Sequence, residues 1–353
     1  MNLADDTIRV SGPRGGTSTR LPSPYLLFLG DTTEPAYAKT AFGLRDWARD
    51  RCVGQFSLPG ATVTTGLPEL RPEQAVAAGA LGLLIGVANI GGVIPPSWLP
   101  ALLNALGAGL DLVAGMHSRL TDVPELQKAA ERYGRRLFDV RVPPADIPIA
   151  SGRRRSGRRI LTVGTDCALG KKYTALAVAR GLRARGIAAD FRATGQTGIM
   201  IAGEGIPIDA VVSDFVAGAA ESLSPAADPS HVDVIEGQGS LFHPSYAGVS
   251  LGLLHGSQPD LFIACHQPGR QDILGHPGLP TPSLELLIEQ TVALGSLTSP
   301  AIRCAGVSLN TMHLDPAAAD AAIEEVTRRL SVPAADPIRG GPRLEALLDA
   351  CMA

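Results

Sequence analysis

Aromatic side chains are scarce, 4% of 353 residues, so the protein cannot build its cores around stacked rings. The cores must come from Ala, Val, Leu and Ile. With 40 Gly and 28 Pro, these elements are joined by many tight turns, a balance that favours α/β layers over an all-β sandwich. No charge of one sign dominates: 31 Lys+Arg against 34 Asp+Glu leave a formal net charge of -3. There is thus no global positive field to hold nucleic acid or an anionic membrane, and any phosphate binding has to be local. Cysteine offers neither C-x-x-C nor Cys/His clusters. Cys52, Cys167, Cys265, Cys304 and Cys351 are scattered and odd in number, which excludes structural zinc and fits a reducing cytoplasm. Apolar runs are broken by Gly and Pro well short of the roughly 20 residues that span a bilayer. Residues 1–22 lack the apolar stretch of a signal peptide and read as a flexible arm.

What is present is a globular composition, 45% hydrophobic and 18% charged, at a length suited to two domains. In the first half, Tyr25 to Leu29, Leu81 to Val87, Leu110 to Ala114 and Arg136 to Val140 read as strands. Helical patterns fall between them, around Tyr37 to Arg49, Pro72 to Ala80, Trp98 to Leu106 and Glu125 to Tyr133. This alternation predicts βαβ crossovers and a parallel sheet, a Rossmann-like domain over residues 23–145. A linker is expected at 146–158, rich in Pro and then Arg, its basic run reading as solvated or else as a hold on a phosphorylated ligand. A second α/β domain follows over 159–353. Its strands are expected near Arg159 to Val163, Ala188 to Arg192, Val232 to Ile235, Leu261 to Ala264 and Ala305 to Leu309. Its helices are expected near Lys171 to Ala184, Ser283 to Ala293, Pro316 to Leu330 and Pro342 to Ala350.

The strongest motif runs from an apolar strand, Ile160-Leu161-Thr162-Val163, through Gly164-Thr165-Asp166-Cys167-Ala168-Leu169-Gly170-Lys171 into a helical pattern, the context a P-loop requires. Its glycines let backbone N–H groups turn inward around a phosphate, the helix N-terminus adds its dipole, and Lys171 adds a charge-assisted contact. The usual motif has four residues between its glycines and a Ser or Thr after the lysine; here there are five, followed by Lys172 and Tyr173. The hydroxyl that ligates Mg²⁺ is missing there, so phosphate binding is expected without metal-dependent hydrolysis. The longer spacing resembles the loop of dethiobiotin synthetase and its relatives, as does Val234-Ile235-Glu236-Gly237-Gln238-Gly239-Ser240.

Taken with Ala193-Thr194-Gly195-Gln196-Thr197-Gly198, Asp209-Ala210-Val211-Val212-Ser213-Asp214-Phe215 and Cys265-His266-Gln267-Pro268-Gly269-Arg270, these strings resemble the DgcN family. In the first half Gly30-Asp31, Ala38-Lys39-Thr40-Ala41, Gly86-Val87-Ala88-Asn89-Ile90-Gly91-Gly92 and Gly115-Met116-His117-Ser118-Arg119-Leu120 carry the likeness. It spans roughly Pro24 to Leu348. The resemblance implies a Rossmann-like domain followed by a P-loop NTPase-like α/β domain, and D-glutamate N-acetyltransferase activity with acetyl-CoA as donor. A P-loop fits that donor, because CoA carries a pyrophosphate and a 3′-phosphate that the loop can hold without hydrolysing anything.

Acetyl transfer needs a base for the ammonium proton and donors for the oxyanion of the thioester adduct. Glu236 ends an apolar strand, where a Walker-B-like role, a general-base role and a plain loop salt bridge are all reasonable. Asp209 and Asp214 are further acids, and one of them equally suits an N-cap. His243 and His266 lie in strand-end or Gly/Pro-rich loops as base or donor, with a structural role as the alternative. A dicarboxylate substrate calls for Arg forks, which Arg192 and Arg270 offer unless they form ion pairs. Gln196 and Thr197 suit a carboxylate or phosphate, or simply a turn. Asn310 resembles a base-recognising position or a loop cap. Cys167 and Cys265 raise an acetyl-thiol route that packing roles for small cysteines disfavour. The first domain lacks Gly-x-Gly-x-x-Gly after its opening strand, so dinucleotide binding is unsupported there. Its strand-end loops offer Lys39, Asn89 and His117 to the amino acid, with Asp31 and Arg119 nearby. No resident metal is expected, and a homo-oligomer is. The competing readings are an Mg-ATP-dependent carboxylate-activating ligase and a nucleotide-gated switch.

Overall fold

The computed structural model describes residues 20–353. The flexible-arm reading thus lies outside the described residues, apart from Arg20, Leu21 and Pro22, of which Leu21 and Pro22 are buried. The chain divides into two compact units. One holds the described residues through Pro143 together with Gln196–Pro207; the other holds Pro144–Gly195 and Ile208–Ala353. Among the described residues no helix is long and apolar enough to cross a membrane.

In the first unit β1 (Tyr25–Gly30), β2 (Cys52–Ser57), β3 (Gly82–Ile85), β4 (Asp111–Ala114) and β5 (Leu137–Asp139) pair in parallel in the order β2-β1-β3-β4-β5. Strands β1, β3 and β4 are buried along their whole length, as central strands covered on both faces must be, which explains their continuous apolar runs. Helices α1 (Lys39–Trp47), α2 (Pro72–Ala77), α3 (Leu99–Ala108) and α4 (Pro124–Tyr133) fall where the helical periodicity places them. Strand β2 is not among the expected strands, because Cys-Val-Gly-Gln-Phe-Ser has neither an apolar run nor clean alternation. Tertiary bonds define this strand. The buried Gln55 amide accepts from the Thr65 N–H at 2.7 Å and donates to Glu69 Oε2 at 2.9 Å, which satisfies a polar group the sequence pattern would place outside.

In the second unit β6 (Arg158–Gly164), β7 (Ala189–Arg192), β8 (Val232–Ile235), β9 (Leu261–His266), β10 (Arg303–Leu309) and β11 (Ala334–Ala335) form a parallel sheet ordered β11-β10-β9-β6-β8-β7. The helices here are α5 (Lys171–Ala184), α7 (Val216–Leu223), α8 (Ala247–Ser257), α9 (Leu284–Gly295), α10 (Pro316–Leu330) and α11 (Pro342–Met352); α6 (Gln196–Ala202) belongs to the first unit. Leu284, Leu287, Val307, Leu309, Ile323 and Val326 make one buried cluster between α9, α10 and the sheet. Because β6 lies between β9 and β8, its carboxyl end is flanked by the ends of both, the place where open α/β sheets bind ligands.

Two features depart from expectation. Helix α8 carries Gly248, Gly252 and Gly256, and three glycines each costing about 1 kcal/mol hide a helix from propensity. Gly252 and Gly256 are instead a packing device against α7. A Cβ on Gly252 would lie 2.6 Å from Val216 Cγ1, and one on Gly256 would run into the Ala217 backbone. The basic run, read as solvated, is largely spent inside the unit. Arg159 is 1% exposed and donates to Ser224 Oγ and to the carbonyls of Arg155, Ser156, Gly157 and Pro225. Arg155 bonds the Ser224 and Gly256 carbonyls, and Arg154 pairs with Asp260. The carbonyls left over at helix and strand ends recruit the guanidinium forks.

Gly256→Ala should therefore destabilise the protein by about 1–3 kcal/mol through overpacking. Gly248→Ala, with open space around its Cβ, should leave stability unchanged or raised by up to about 1 kcal/mol. Urea midpoints of the two variants check this, and equal midpoints would contradict close α7–α8 packing.

Candidate active site

The loop from Gly164 to Gly170 joins β6 to α5, and its conformation is held open by polar contacts at its base. Ala168 and Gly170 both take left-handed backbone angles, φ 54° and 101°, which bend the loop back toward the start of α5. No side chain caps α5, whose first turn follows Gly170 directly, so its leading N–H groups face the loop. Lys171, 7% exposed, donates to the Asp166 carbonyl at 2.7 Å, and burial holds its ammonium below the ordinary lysine range. The Asp166 carboxylate is fully buried. It accepts from the Cys167 N–H at 2.6 Å, the Leu274 N–H at 2.8 Å and Arg270 Nη1 at 2.8 Å. Burial pushes its pKa up, but the two N–H groups and the Arg270 guanidinium outweigh it and hold it below the usual carboxylate range.

Glu236 follows directly from β8, 4% exposed, and its Oε2 accepts from the N–H groups of Thr194 and Gly195, both at 3.0 Å. Burial raises its pKa, opposed by Lys172 and then by those N–H groups, with Asp209 adding to the rise. Around it Thr194 Oγ1 donates to the Glu236 carbonyl at 2.7 Å and accepts from Gln238 Nε2 at 2.9 Å. The glycines here are spatially required. A Cβ on Gly195 would fill a space 2.8 Å from Gln238 Nε2 and 3.2 Å from Glu236 Oε1, and one on Gly237 would strike the Thr162 carbonyl. Thr162 in turn accepts from the Gly237 N–H at 2.9 Å. Gln238, Thr194 and Thr162 are contributors that residue type alone does not single out; the signal was the Glu-Gly-Gln-Gly string, whose middle residues were read only as part of a motif.

His266 ends β9 beside the loop, with Nδ1 2.9 Å from Thr165 Oγ1. Burial, Arg329 and Arg270 push its pKa down to about 4, which keeps the ring neutral. His243 is 3% exposed; its Nδ1 accepts from the Ser245 N–H at 3.1 Å, while its ring stacks on Tyr246 at 4.4 Å and meets His276 edge-on at 5.1 Å. With Nδ1 accepting, the ring nitrogen left to donate is Nε2. Asp209 and Asp214 are both exposed, in the turns Ile208–Ala210 and Ser213–Phe215, and the N-cap Phe215 of α7 makes no side-chain cap bond. Asp209 reaches Glu236 electrostatically. Cys167 and Cys265 are both shifted up by burial, Cys265 to about 11, so neither thiol is poised as a thiolate.

The remaining candidates separate. Arg270 braces the loop, donating to the Cys167 carbonyl and to Gln267 Oε1 as well as to Asp166. The fork expected of Arg192 is turned inward, its guanidinium buried against Asp190 at 3.2 Å and Asp233 at 2.7 Å in a cluster that His231 joins. Asn310 follows β10 and its Oδ1 accepts from the Met312 N–H at 3.2 Å. Gln196 and Thr197 open α6 in the first unit, where Thr197 Oγ1 lies 3.0 Å from Thr40 Oγ1 and the Gln196 side chain packs on Gly115. In that unit Lys39 is exposed at the start of α1, Asn89 bonds both backbone groups of Val93, and His117 is exposed beside Gly92. Leu169 is buried, while Lys172 and Tyr173 are half-buried on the first turn of α5.

Residues 148–348 match the family described as a domain of unknown function, DUF1611_C, P-loop domain, and residues 56–143 match DUF1611_N, a Rossmann-like domain. A protein of Tritonibacter scottomollicae named D-glutamate N-acetyltransferase is 51% identical over 91% of this chain and 96% of its own. A protein of a Pseudoalteromonas species with the same name is 44% identical over 91% of this chain and 97% of its own. The crystal structure of a DUF1611 family protein from Anabaena variabilis is similar with a TM-score of 0.82 at 34% identity, covering 93% of this chain and 99% of that one.

The depressed pKa of His266 fixes the sign of a pH effect. Between its ordinary 6.5 and about 4 the unfolded chain takes up a proton that the folded chain refuses, so this residue's contribution to stability is present above pH 6.5 and lost as pH falls toward 4. An NMR titration of the imidazole C–H resonance, assigned with His266→Gln, should show a midpoint near 4. A midpoint near 6.5 would contradict the Thr165–His266 packing described above.

Proposed function

We propose that this chain, which belongs to the DUF1611 family with its Rossmann-like and P-loop domains, transfers the acetyl group of acetyl-CoA to the α-amine of D-glutamate. The observation that carries the substrate and the reaction is the match, along nearly the whole chain, to two proteins of that name. The donor fits the second unit's chemistry. In this reading the glycine-bounded loop, the uncapped start of α5 and Lys171 are the anion cradle that the CoA diphosphate would occupy. A thioester supplies an acyl carbon already activated for attack, so nothing has to be hydrolysed at the loop.

Glu236 is the general base of this reading. Its raised pKa brings a carboxylate closer to the range where proton uptake from an ammonium is effective, and its Oε2 alone is taken by backbone N–H groups. The ammonium first loses a proton to solvent; as the amine nitrogen then bonds to the acyl carbon, Glu236 takes the nitrogen's second proton, the carbon–sulfur bond breaks, and Glu236 passes that proton to the departing thiolate. In this reading the oxyanion's donors are Gln238, through the Nε2 hydrogen not given to Thr194, and the neutral ring of His266. His243 orders the loop that follows, and Arg270 holds the cradle's shape.

Purified protein with acetyl-CoA should release free thiol when given D-glutamate, and not when given L-glutamate, with or without EDTA. Glu236→Gln should retain CoA binding and lower kcat by about 10²–10⁴-fold, the usual contribution of a positioned base. Absence of thiol release with every D-amino acid tried would overturn the function. Unchanged kcat in Glu236→Gln would overturn only the base.

A further inference from the structure

P-loops that bind nucleotide with Mg²⁺ hold the ion from two positions: a Ser or Thr hydroxyl directly after the loop lysine, and an acid at the end of a neighbouring strand. The residues in this chain do not fit that ion. The first position is Lys172, an ammonium. The nearest Ser or Thr hydroxyl along the helix, that of Thr174, is buried and turned away, its Oγ1 bonded to the Gly170 carbonyl at 3.1 Å and to Ser308 Oγ at 2.7 Å. The acid is Glu236, whose Oε2 is already taken by two backbone N–H groups. The loop's own acid, Asp166, is filled by three donors.

These two positions instead carry opposite charges. Lys172 lies on the half-buried first turn of α5, its Nζ 4.5 Å from the centroid of the Tyr173 ring, where the ring's negative face favours the cation. It is the strongest charge acting on the buried Glu236 carboxyl. The geometry points to Lys172 as a built-in cation that takes the divalent ion's place, set between the ligand's diphosphate and Glu236, so that diphosphate binding at this loop is independent of metal. The inference rests on the reading that the β6–α5 loop holds a diphosphate. Lys171 alone supplies one positive charge to a group carrying at least two negative ones; Lys172 supplies the second without the ordering of water that an octahedral Mg²⁺ demands. A tethered charge also leaves no open coordination position at which a metal-bound water would attack a phosphate.

Calorimetric titration with inorganic pyrophosphate and with CoA, each in EDTA and in excess Mg²⁺, tests this on the wild type, Lys172→Thr and Lys172→Arg. Wild-type affinity for both should be the same in the two buffers. Lys172→Thr, which restores the usual hydroxyl, should bind at least about tenfold more weakly in EDTA, the loss of a charged hydrogen bond, and regain affinity in Mg²⁺. Lys172→Arg should stay close to wild type, and thermal melts should show all three folded, since the side chain is half-exposed. Wild-type binding that requires Mg²⁺, or Lys172→Thr binding as tightly as wild type in EDTA, would overturn the proposal. Pyrophosphate keeps this test separate from the acetyltransferase reading. Metal-free pyrophosphate binding that Lys172→Thr impairs, in a protein that transfers no acetyl group, would uphold the lysine and reject the function. Acetyl transfer in a protein whose Lys172→Thr variant binds normally would do the reverse.

Discussion

The shape of the β6–α5 loop depends on one buried carboxylate, which ties the loop's own backbone to the loop after β9. Asp166 draws together the Cys167 N–H of its own loop and, from the loop after β9, the Leu274 N–H and Arg270, while its carbonyl takes Lys171. Hydrogen bonds to charged groups contribute about 1.5–3 kcal/mol each. A non-glycine residue held left-handed, as Ala168 is, costs of order 1–3 kcal/mol. The brace therefore outweighs the strain, and the loop stays shaped before any ligand arrives. Arg270, which residue type offers as a substrate contact, is committed to this brace, and the sheet order β9-β6-β8 brings the two loops within its reach.

The same sheet order decides the electrostatics. On one side of β6 stands the end of β9 with a neutral imidazole; on the other stands Glu236 after β8, on whose carboxyl Lys172 is the strongest neighbouring charge. Between them lie an N-terminal helix dipole and two lysines. Such a site concentrates positive charge for phosphates at the loop and keeps one carboxylate of raised pKa at its margin. With the diphosphate gripped beside Glu236, the pantetheine arm has to turn back for its thioester to reach the same carboxylate. The Thr174 hydroxyl is turned into the core, committed to Ser308 and to the Gly170 carbonyl.

Much of this was legible in the sequence because it rests on local pattern. The buried parallel strands read as apolar runs, helix α5 began where Gly170-Lys171 placed it, and the acid after Val232–Ile235 was visible as a strand-end carboxylate. What stayed hidden depends on partners distant in sequence. Helix α8 was masked by its own glycines, of which Gly252 and Gly256 pack against α7. Strand β2 was masked by Gln55, satisfied only by Thr65 and Glu69. Arg192 sits at a strand end as a free fork would, and only the register of β7 with β8, which sets Asp190 opposite Asp233, shows where its charge goes. Gln238 went unweighed because a lone amide in a glycine-rich string carries no signature until Thr194 and Gly195 stand beside it.

The central claim is that the β6–α5 loop is a preformed seat for the CoA diphosphate. A crystal structure of the protein grown with CoA, without added metal, tests it most directly. The account expects the diphosphate on the N–H groups between Gly164 and Lys171, with both Lys171 and Lys172 within hydrogen-bond distance and Asp166 still joined to Arg270. A diphosphate bound elsewhere, with this loop unvisited or with a metal ion between phosphate and Glu236, would contradict it.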